Sequence, residues 1–264
     1  DSPRALAMGD VNRDGRPDLV VSHSVTNNTL ALYLNRGGGQ FSTTADWTSV
    51  TSLSVPAMVM ADVDGDLYPD LLVQRADGVS VFINNQAGAF ATTPSTVVSL
   101  PLNAAGQTAA LHGIAAADLD ADGKADLAIT AAYSNQPTAW TNVYRGTGTD
   151  FTLIATVVGT AGSPAFADID GDGLRDLATP HALYRNNAGS FGPNPVWTST
   201  GTGVDGLALG DVDGDSDPDV LAIRAGNVLE AALYRNDGGA LTSSPVWSAV
   251  LRGPSVGYLP GPYS

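Results

Sequence analysis

The sequence predicts an all-β chain, a β-propeller of five four-stranded blades, and three observations lead there. A nine-residue, aspartate-rich segment occurs five times, its first residues 52, 56, 50 and 43 positions apart. A short apolar run precedes and follows every copy. Little helical periodicity separates the copies, and similarity repeated at this interval is the mark of stacked or radial β units. Four antiparallel strands per fifty-residue unit describe a propeller blade.

The five segments are Asp10–Asp18, Asp62–Asp70, Asp118–Asp126, Asp168–Asp176 and Asp211–Asp219. The fourth, Asp168-Ile-Asp-Gly-Asp-Gly-Leu-Arg-Asp176, is the most regular. Carboxylates at loop positions one, three, five and nine, with glycines where the backbone turns, gather hard oxygen donors into a tight loop. Such a donor set suits calcium, which takes six to eight oxygens at flexible geometry, better than magnesium. An EF-hand is excluded, because it requires glutamate at position twelve between helices. Position twelve is Val21, Val73, Ile129, Thr179 and Ala222, and the flanks read as strands. A dockerin-like loop fails on the same flanks. Turn-forming alone explains one such loop and explains five with one spacing poorly.

Strand A precedes each loop in small residues: Ala5–Gly9, Ala57–Ala61, Gly113–Ala117, Ala165–Ala167 and Gly206–Gly210. Small side chains are required where several strands converge on a narrow axis. Strand B follows as an unbroken apolar run (Leu19–Val21, Leu71–Val73, Leu127–Ile129, Leu177–Ala178, Val220–Ile223), the pattern of a strand buried on both faces. Strand C carries one aromatic, at Tyr33, Phe82, Tyr144, Tyr184 and Tyr234, placed to pack between neighbouring blades. Two residues later stands Asn35, Asn84, Asn186 or Asn236, with Gly146 in the third unit, and then a glycine turn. Strand D closes each unit at Trp47–Val50, Thr96–Leu100, Ile154–Val158, Trp197–Ser199 and Trp247–Val250. The blades span roughly 1–52, 53–108, 109–160, 161–202 and 203–252, and residues 253–264 read as an extended Pro/Gly-rich tail.

The order apolar strand, Gly-Asp, Asp/Asn-x-Asp-Gly-x-x-Asp, apolar strand resembles the FG-GAP/VCBS repeat of the integrin α-subunit N-terminal propeller. It runs from Ala5 to about Gly253. The resemblance implies calcium between strands A and B of each blade, about five ions per chain. Carried onto this sequence, the ligands are Asp10, Asn12, Asp14 and Asp18; Asp62, Asp64, Asp66 and Asp70; Asp118, Asp120, Asp122 and Asp126; Asp168, Asp170, Asp172 and Asp176; and Asp211, Asp213, Asp215 and Asp219, with a carbonyl from position seven. Two departures stand out. The family's propellers commonly have seven blades, so five units make a smaller propeller or part of a larger one. Position six is glycine in loops one, three and four but Leu67 and Ser216 in loops two and five, where left-handed backbone strains a side chain.

Composition narrows the function. The net charge is −15, yet 19 of the 27 acidic residues sit at ligand positions, and five divalent cations would leave about −5. With Lys124 the sole lysine and no basic patch, nucleic acid and anionic membrane are excluded as partners. The chain has no cysteine and no apolar run of membrane-spanning length. Modest calcium sites without disulfides suit extracellular fluid, and a first residue Asp1 rather than methionine reads as that of a processed, secreted protein. No catalytic constellation is present: no cysteine nucleophile, no Gly-x-Ser-x-Gly elbow, and Glu230 as the only glutamate. The expectation is a non-enzymatic, lectin-like or adhesin-like module for an extracellular protein or glycan. A self-assembling structural subunit and an accessory domain of a secreted enzyme are the alternatives. The B–C connections, opposite the metal loops, differ most in length. The longest, Ala131 to Trp140, offers Tyr133, Asn135 and Trp140 as ligand contacts. His23, His112 and His181 map to the same face and read as unrelated surface histidines rather than a zinc site.

Overall fold

The computed structural model describes residues 3–23, 29–50, 57–103, 105–134, 138–159, 161–199, 204–225 and 229–252. No helix occurs among them. The first sheet joins β1 (Pro3–Gly9), β2 (Asp18–His23) and β3 (Leu30–Tyr33). A small hairpin of β4 (Asn35–Gly37) and β5 (Gln40–Phe41) then leads to its fourth strand, β6 (Trp47–Thr48). The second holds β7 (Met58–Ala61), β8 (Asp70–Gln74), β9 (Gly78–Phe82) and β10 (Thr96–Ser99). The third holds β11 (Ala110–Ala117), β12 (Asp126–Ala132), β13 (Ala139–Gly146) and β14 (Phe151–Gly159). The fourth holds β15 (Ala165–Ala167), β16 (Asp176–Thr179), β17 (Ala182–Tyr184) and β18 (Trp197–Thr198), and the fifth β19 (Val204–Gly210), β20 (Asp219–Ala225), β21 (Leu229–Tyr234) and β22 (Trp247–Arg252). All five are antiparallel meanders in the order A-B-C-D.

Register repeats as faithfully as topology. The residue after each position-nine aspartate pairs with the strand-C aromatic: Leu19 with Tyr33, Leu71 with Phe82, Leu127 with Tyr144, Leu177 with Tyr184, Val220 with Tyr234. Side chains alternate across a strand, so every sheet has a leading face carrying this aromatic and a trailing face carrying the next strand-B residue. The core consists of trailing faces packed on leading faces. Val20, Leu30, Leu32 and Trp47 of the first sheet cover Leu71, Val73 and Phe82 of the second. Leu72, Val81 and Val98 then cover Leu127, Ile129 and Tyr144, and Ala128, Val143 and Val157 cover Leu177 and Tyr184. Full burial of each such aliphatic or aromatic side chain is worth about 1.5–3 kcal/mol.

Two further contacts lock each junction. Trp47 meets Phe82 edge-on at 6.1 Å, and Trp197 meets Tyr234 at 4.9 Å. The strand-C asparagine reaches back to the preceding loop: Asn84 Nδ2 donates to Val11 O (2.9 Å), Asn186 to Leu119 O (2.6 Å) and Asn236 to Ile169 O (2.7 Å). The third sheet substitutes Gly146, where a Cβ would lie 2.3 Å from Ala125 O; there Ala125 N–H itself donates to Asp62 O at 2.7 Å. Small residues on strand A have the predicted cause: a Cβ on Gly9 would meet Met60 Sδ at 2.6 Å.

Two boundaries differ from the periodicity. β12 and β13 extend past the expected B–C connection, which shrinks to residues 133–138, the same length as residues 24–29 in the first sheet. The turn after strand C is a hairpin of its own, formed by β4 and β5 and echoed by the bridges Asn84–Phe90, Asn186–Phe191 and Asn236–Leu241. Replacing Asn186 with alanine leaves Leu119 O without this buried donor and should lower stability by about 1–3 kcal/mol. Denaturant unfolding checks this, with the exposed Asn187→Ala as the neutral reference.

Candidate metal centres

The five A–B loops share one hydrogen-bond pattern made almost wholly by their own aspartates. Position one accepts the amide of position six at 2.7–3.0 Å in every loop: Gly15, Leu67, Gly123, Gly173 and Ser216. Position five accepts the amide of position seven at 2.8–3.0 Å. Position six has positive φ throughout, and Leu67 (72°) and Ser216 (78°) adopt it despite their side chains, so all five loops turn alike. Position four is left-handed as well, at Arg13, Gly65, Ala121, Gly171 and Gly214.

The position-nine aspartates do something distinct. Asp18, Asp70, Asp126, Asp176 and Asp219 are all buried. One oxygen of each accepts the amide of loop position two at 2.8–3.1 Å. The other accepts the amide two residues beyond the strand-C aromatic at 2.7–2.8 Å. Each carboxylate thus bridges its loop to strand C and keeps one further lone pair per oxygen for a cation. Burial, opposed by these amides and reinforced by the neighbouring carboxylates, pushes Asp70 and Asp126 up to about 6 and raises Asp18 and Asp176.

Several carboxylate groups stand close enough to share one ion: Asp62, Asp64 and Asp66; Asp118, Asp120 and Asp122; Asp168, Asp170 and Asp176; Asp211, Asp213 and Asp219. In loop one Asn12 occupies position three and donates to Asp14 at 3.2 Å. Loop three supplies the clearest test of fit, because Asp118 Oδ1 and Asp120 Oδ1 are buried and accept no hydrogen bond. Anionic oxygens left bare in this way fit a hard cation.

Sequence reasoning missed the arginines of loops three to five. Arg145 pairs with Asp120 and Arg185 with Asp170, both at 2.8 Å, and Arg235 lies 3.8 Å from Asp213. Arg145 and Arg185 also donate to Gly189 O and Gly239 O of the following sheet. The dipeptide Tyr-Arg repeated at 144–145, 184–185 and 234–235 was the signal; Leu34 and Ile83 replace the arginine in the first two units.

On the opposite face, Tyr133 and Trp140 are half-buried and tilted against each other at 6.1 Å. They pack on the core between the second and third sheets, and Tyr133 Oη donates to Pro101 O. Asn135 lies outside the described residues. No described group of potential metal ligands contains His23, His112 or His181; His181 Nδ1 instead bonds Ser199 Oγ. A groove of about 590 Å³ runs between the third and fourth sheets, walled by Thr156, Val158, His181, Pro193, Pro195 and Thr198.

The profile of the FG-GAP-like repeat matches residues 10–73, 62–129 and 118–179, and the chain belongs to this repeat family as a β-propeller. No curated protein matches this sequence. Among solved structures, an Agrocybe aegerita lectin described as recognising non-reducing terminal N-acetylglucosamine is similar at 19% identity and TM-score 0.55, over 93% of this chain and 65% of that one. BBS1N, solved in complex with ARL6DN, is similar at 14% identity and TM-score 0.56, over 95% of this chain and 69% of that one. The chain therefore spans about two thirds of the length of these structures.

Two expectations separate scaffold from metal. Asp176→Ala strips the acceptor from two buried amides and should cost about 2–5 kcal/mol with or without calcium. Asp172→Ala, at an exposed position, should matter mainly when calcium is present. Melting curves of both variants, with and without the ion, make the comparison; equal behaviour would refute the division.

The raised carboxylates also fix the sign of a pH effect. In metal-free protein the folded state holds the Asp70 and Asp126 protons where the unfolded chain, ordinary value 3.8, has lost them. Their contribution to stability is complete below that value and is lost as pH rises through about 6. Metal-free protein should thus melt higher at pH 5 than at pH 7. Calcium should reverse the order, since it binds the ionised form.

Proposed function

We propose that this chain is a secreted, non-catalytic binding module: a propeller of five blades, each stabilised by one Ca²⁺ in its A–B loop, that binds a glycan. The observation that carries it is a contrast between repeats. Five loops share one hydrogen-bond pattern, whereas the groove between the third and fourth sheets is local, free of Asp, Glu, Lys and Arg, and lined by Thr156, Thr198 and His181 beside Pro193 and Pro195. Hydroxyl and imidazole groups beside flat apolar walls match a neutral sugar, which offers hydroxyls on its edges and C–H groups on its faces. The similarity to a lectin that recognises terminal N-acetylglucosamine supports a glycan. The similarity to BBS1N, solved with a protein partner, supports a protein ligand as the second reading. Tyr133 and Trp140 are better suited to holding the second and third sheets together than to meeting the ligand, because each packs on the core.

Calcium would be held by the side chains of positions one, three and five and the free lone pairs of position nine, supplying the positive charge that lets these carboxylates coexist. A ligand bound only by the folded state stabilises it by about 2.7 kcal/mol per site at a hundredfold excess over Kd. Metal analysis should find about five ions per chain, and chelation should lower the melting temperature sharply. A glycan array probed with calcium should identify a neutral sugar. Thr198→Trp, which fills the groove from an exposed position, should abolish binding at unchanged metal content and melting temperature. Undiminished glycan binding by that variant would place the ligand elsewhere; no binding by the parent chain would end the glycan reading.

A further inference from the structure

Loop position three and the residue that follows the strand-C aromatic vary together along the chain. The third, fourth and fifth repeats match aspartate with arginine: Asp120 with Arg145, Asp170 with Arg185 and Asp213 with Arg235. The first repeat has neither charge, with Asn12 and Leu34 at these places, and both lie against Gly88 of the next sheet. The second breaks the rule. Asp64 keeps the carboxylate, while Ile83 stands where its cation would be. Asp64 forms no ion pair among the described residues; Lys124, whose stem passes beside Gly65 and Gly148, lies 3.8 Å from Asp122 instead.

The space beside this carboxylate is open. A cavity of about 360 Å³ lies between the second and third sheets, with Asp64 and Ile83 both in its wall. Val63, Val81 and Phe151 supply further apolar wall, Gly148 belongs to it too, and Asp64 is its one charged residue. In the next two junctions the hairpin glycine of the following sheet receives the guanidinium. Arg145 donates to Gly189 O at 3.3 Å and Arg185 to Gly239 O at 3.1 Å. Gly148 is the corresponding glycine of the third sheet, where a Cβ would lie 3.6 Å from Asp64 O. The carboxylate and the hairpin glycine of the internal pairs are thus both present, without the guanidinium.

We propose that this cavity binds a guanidinium group carried on an aliphatic chain, as in an arginine side chain. The guanidinium would donate to the Asp64 carboxylate and to Gly148 O, and the aliphatic stem would lie along Val63, Val81 and Ile83. A guanidinium presents parallel donors that match a carboxylate, whereas an ammonium is a compact, strongly hydrated charge. Apolar walls favour the more weakly hydrated cation. The occupant is defined by the chain's own repeats, three of which show what a position-three aspartate takes from strand C. In Asp120 and Asp170 a guanidinium on one oxygen leaves the other free, so a ligand on Asp64 is compatible with an ion in loop two. The cavity is separate from the groove between the third and fourth sheets, and the inference does not rest on the glycan reading.

The test is calorimetric titration of the full chain, with calcium present, using butylguanidinium. It should give a saturable one-to-one isotherm with a Kd of about 1 mM or below, and butylammonium, of equal charge, should bind about tenfold more weakly. Ile83→Arg supplies the guanidinium from strand C, as the next three repeats do, and should abolish binding at unchanged metal content. Ile83→Met keeps the wall apolar and should bind like the parent. Amide NMR spectra of the parent should shift around Asp64, Ile83 and Gly148, which locates the site even where a variant fails to fold. The blocked tripeptide acetyl-Ala-Arg-Ala-amide separates two sources of the same group. Binding as tight as that of butylguanidinium points to an arginine of a partner polypeptide, and exclusion of the tripeptide points to a free small molecule. Four results would each overturn the proposal: no saturable binding up to about 10 mM, equal affinity for butylammonium, undiminished binding by Ile83→Arg, or shifts confined to other parts of the chain.

Discussion

The constraint on which the rest of this structure depends is a buried carboxylate shared between two backbone amides. In each repeat the position-nine aspartate ties the entry of the A–B loop to the end of strand C. Strand C ends where the aromatic, the asparagine and the small hairpin begin, so this one side chain sets the relation of every later element to the loop. Burying an anion is unfavourable unless hydrogen bonds replace its water, and two short amide contacts offset part of that cost. Aspartate has the right reach and acceptor-only chemistry; asparagine would present a donor to one of two donors. That explains why position nine is aspartate in all five loops while position three admits Asn12.

Much of this was legible in the sequence because the repeats check one another. One copy of Asp-x-Asp-Gly-Asp is ambiguous, but five copies locate the strands, their register and the small residues at the axis. Recurring Tyr33, Phe82, Tyr144, Tyr184 and Tyr234 marked the junction before any packing was known. What stayed hidden is what depends on direction rather than recurrence. The asparagine after strand C was conspicuous, yet nothing in its spacing said that its amide reaches the preceding loop, at 67 or more residues' separation. The residues 131–140 looked like a long loop because Tyr133, Ser134 and Asn135 are polar, whereas β12 and β13 absorb both ends of it. Trp140 lies in β13 and packs on the core, a role that period-two alternation cannot separate from ligand contact.

The repeats also divide into two kinds. In the third, fourth and fifth, arginine after the aromatic brings a guanidinium to position three, and in the third and fourth it continues to the next hairpin. In the first two the same place is apolar, so the charge of those loops has no such partner from strand C. A guanidinium on one oxygen of Asp120 or Asp170 leaves the other oxygen for a cation. Loops of the two kinds therefore differ in electrostatics while sharing their backbone.

The loops hold their turns through their own amides, including the left-handed positions occupied by Leu67 and Ser216. A cation is thus not needed to create the turn. A bound cation would contribute electrostatically: it would take up the oxygens that no amide reaches, Asp118 Oδ1 and Asp120 Oδ1 among them, and offset the repulsion of carboxylates held within a few ångströms. Pre-shaping lowers the conformational entropy that binding must overcome. It also separates duties along the chain. Position nine belongs to the scaffold, positions one and five shape the turn and would also face a bound ion, and position three is the place where asparagine, arginine-paired aspartate and bare aspartate are all accommodated. Variation in this repeat is tolerated where only the ion is touched and suppressed where two backbone segments meet.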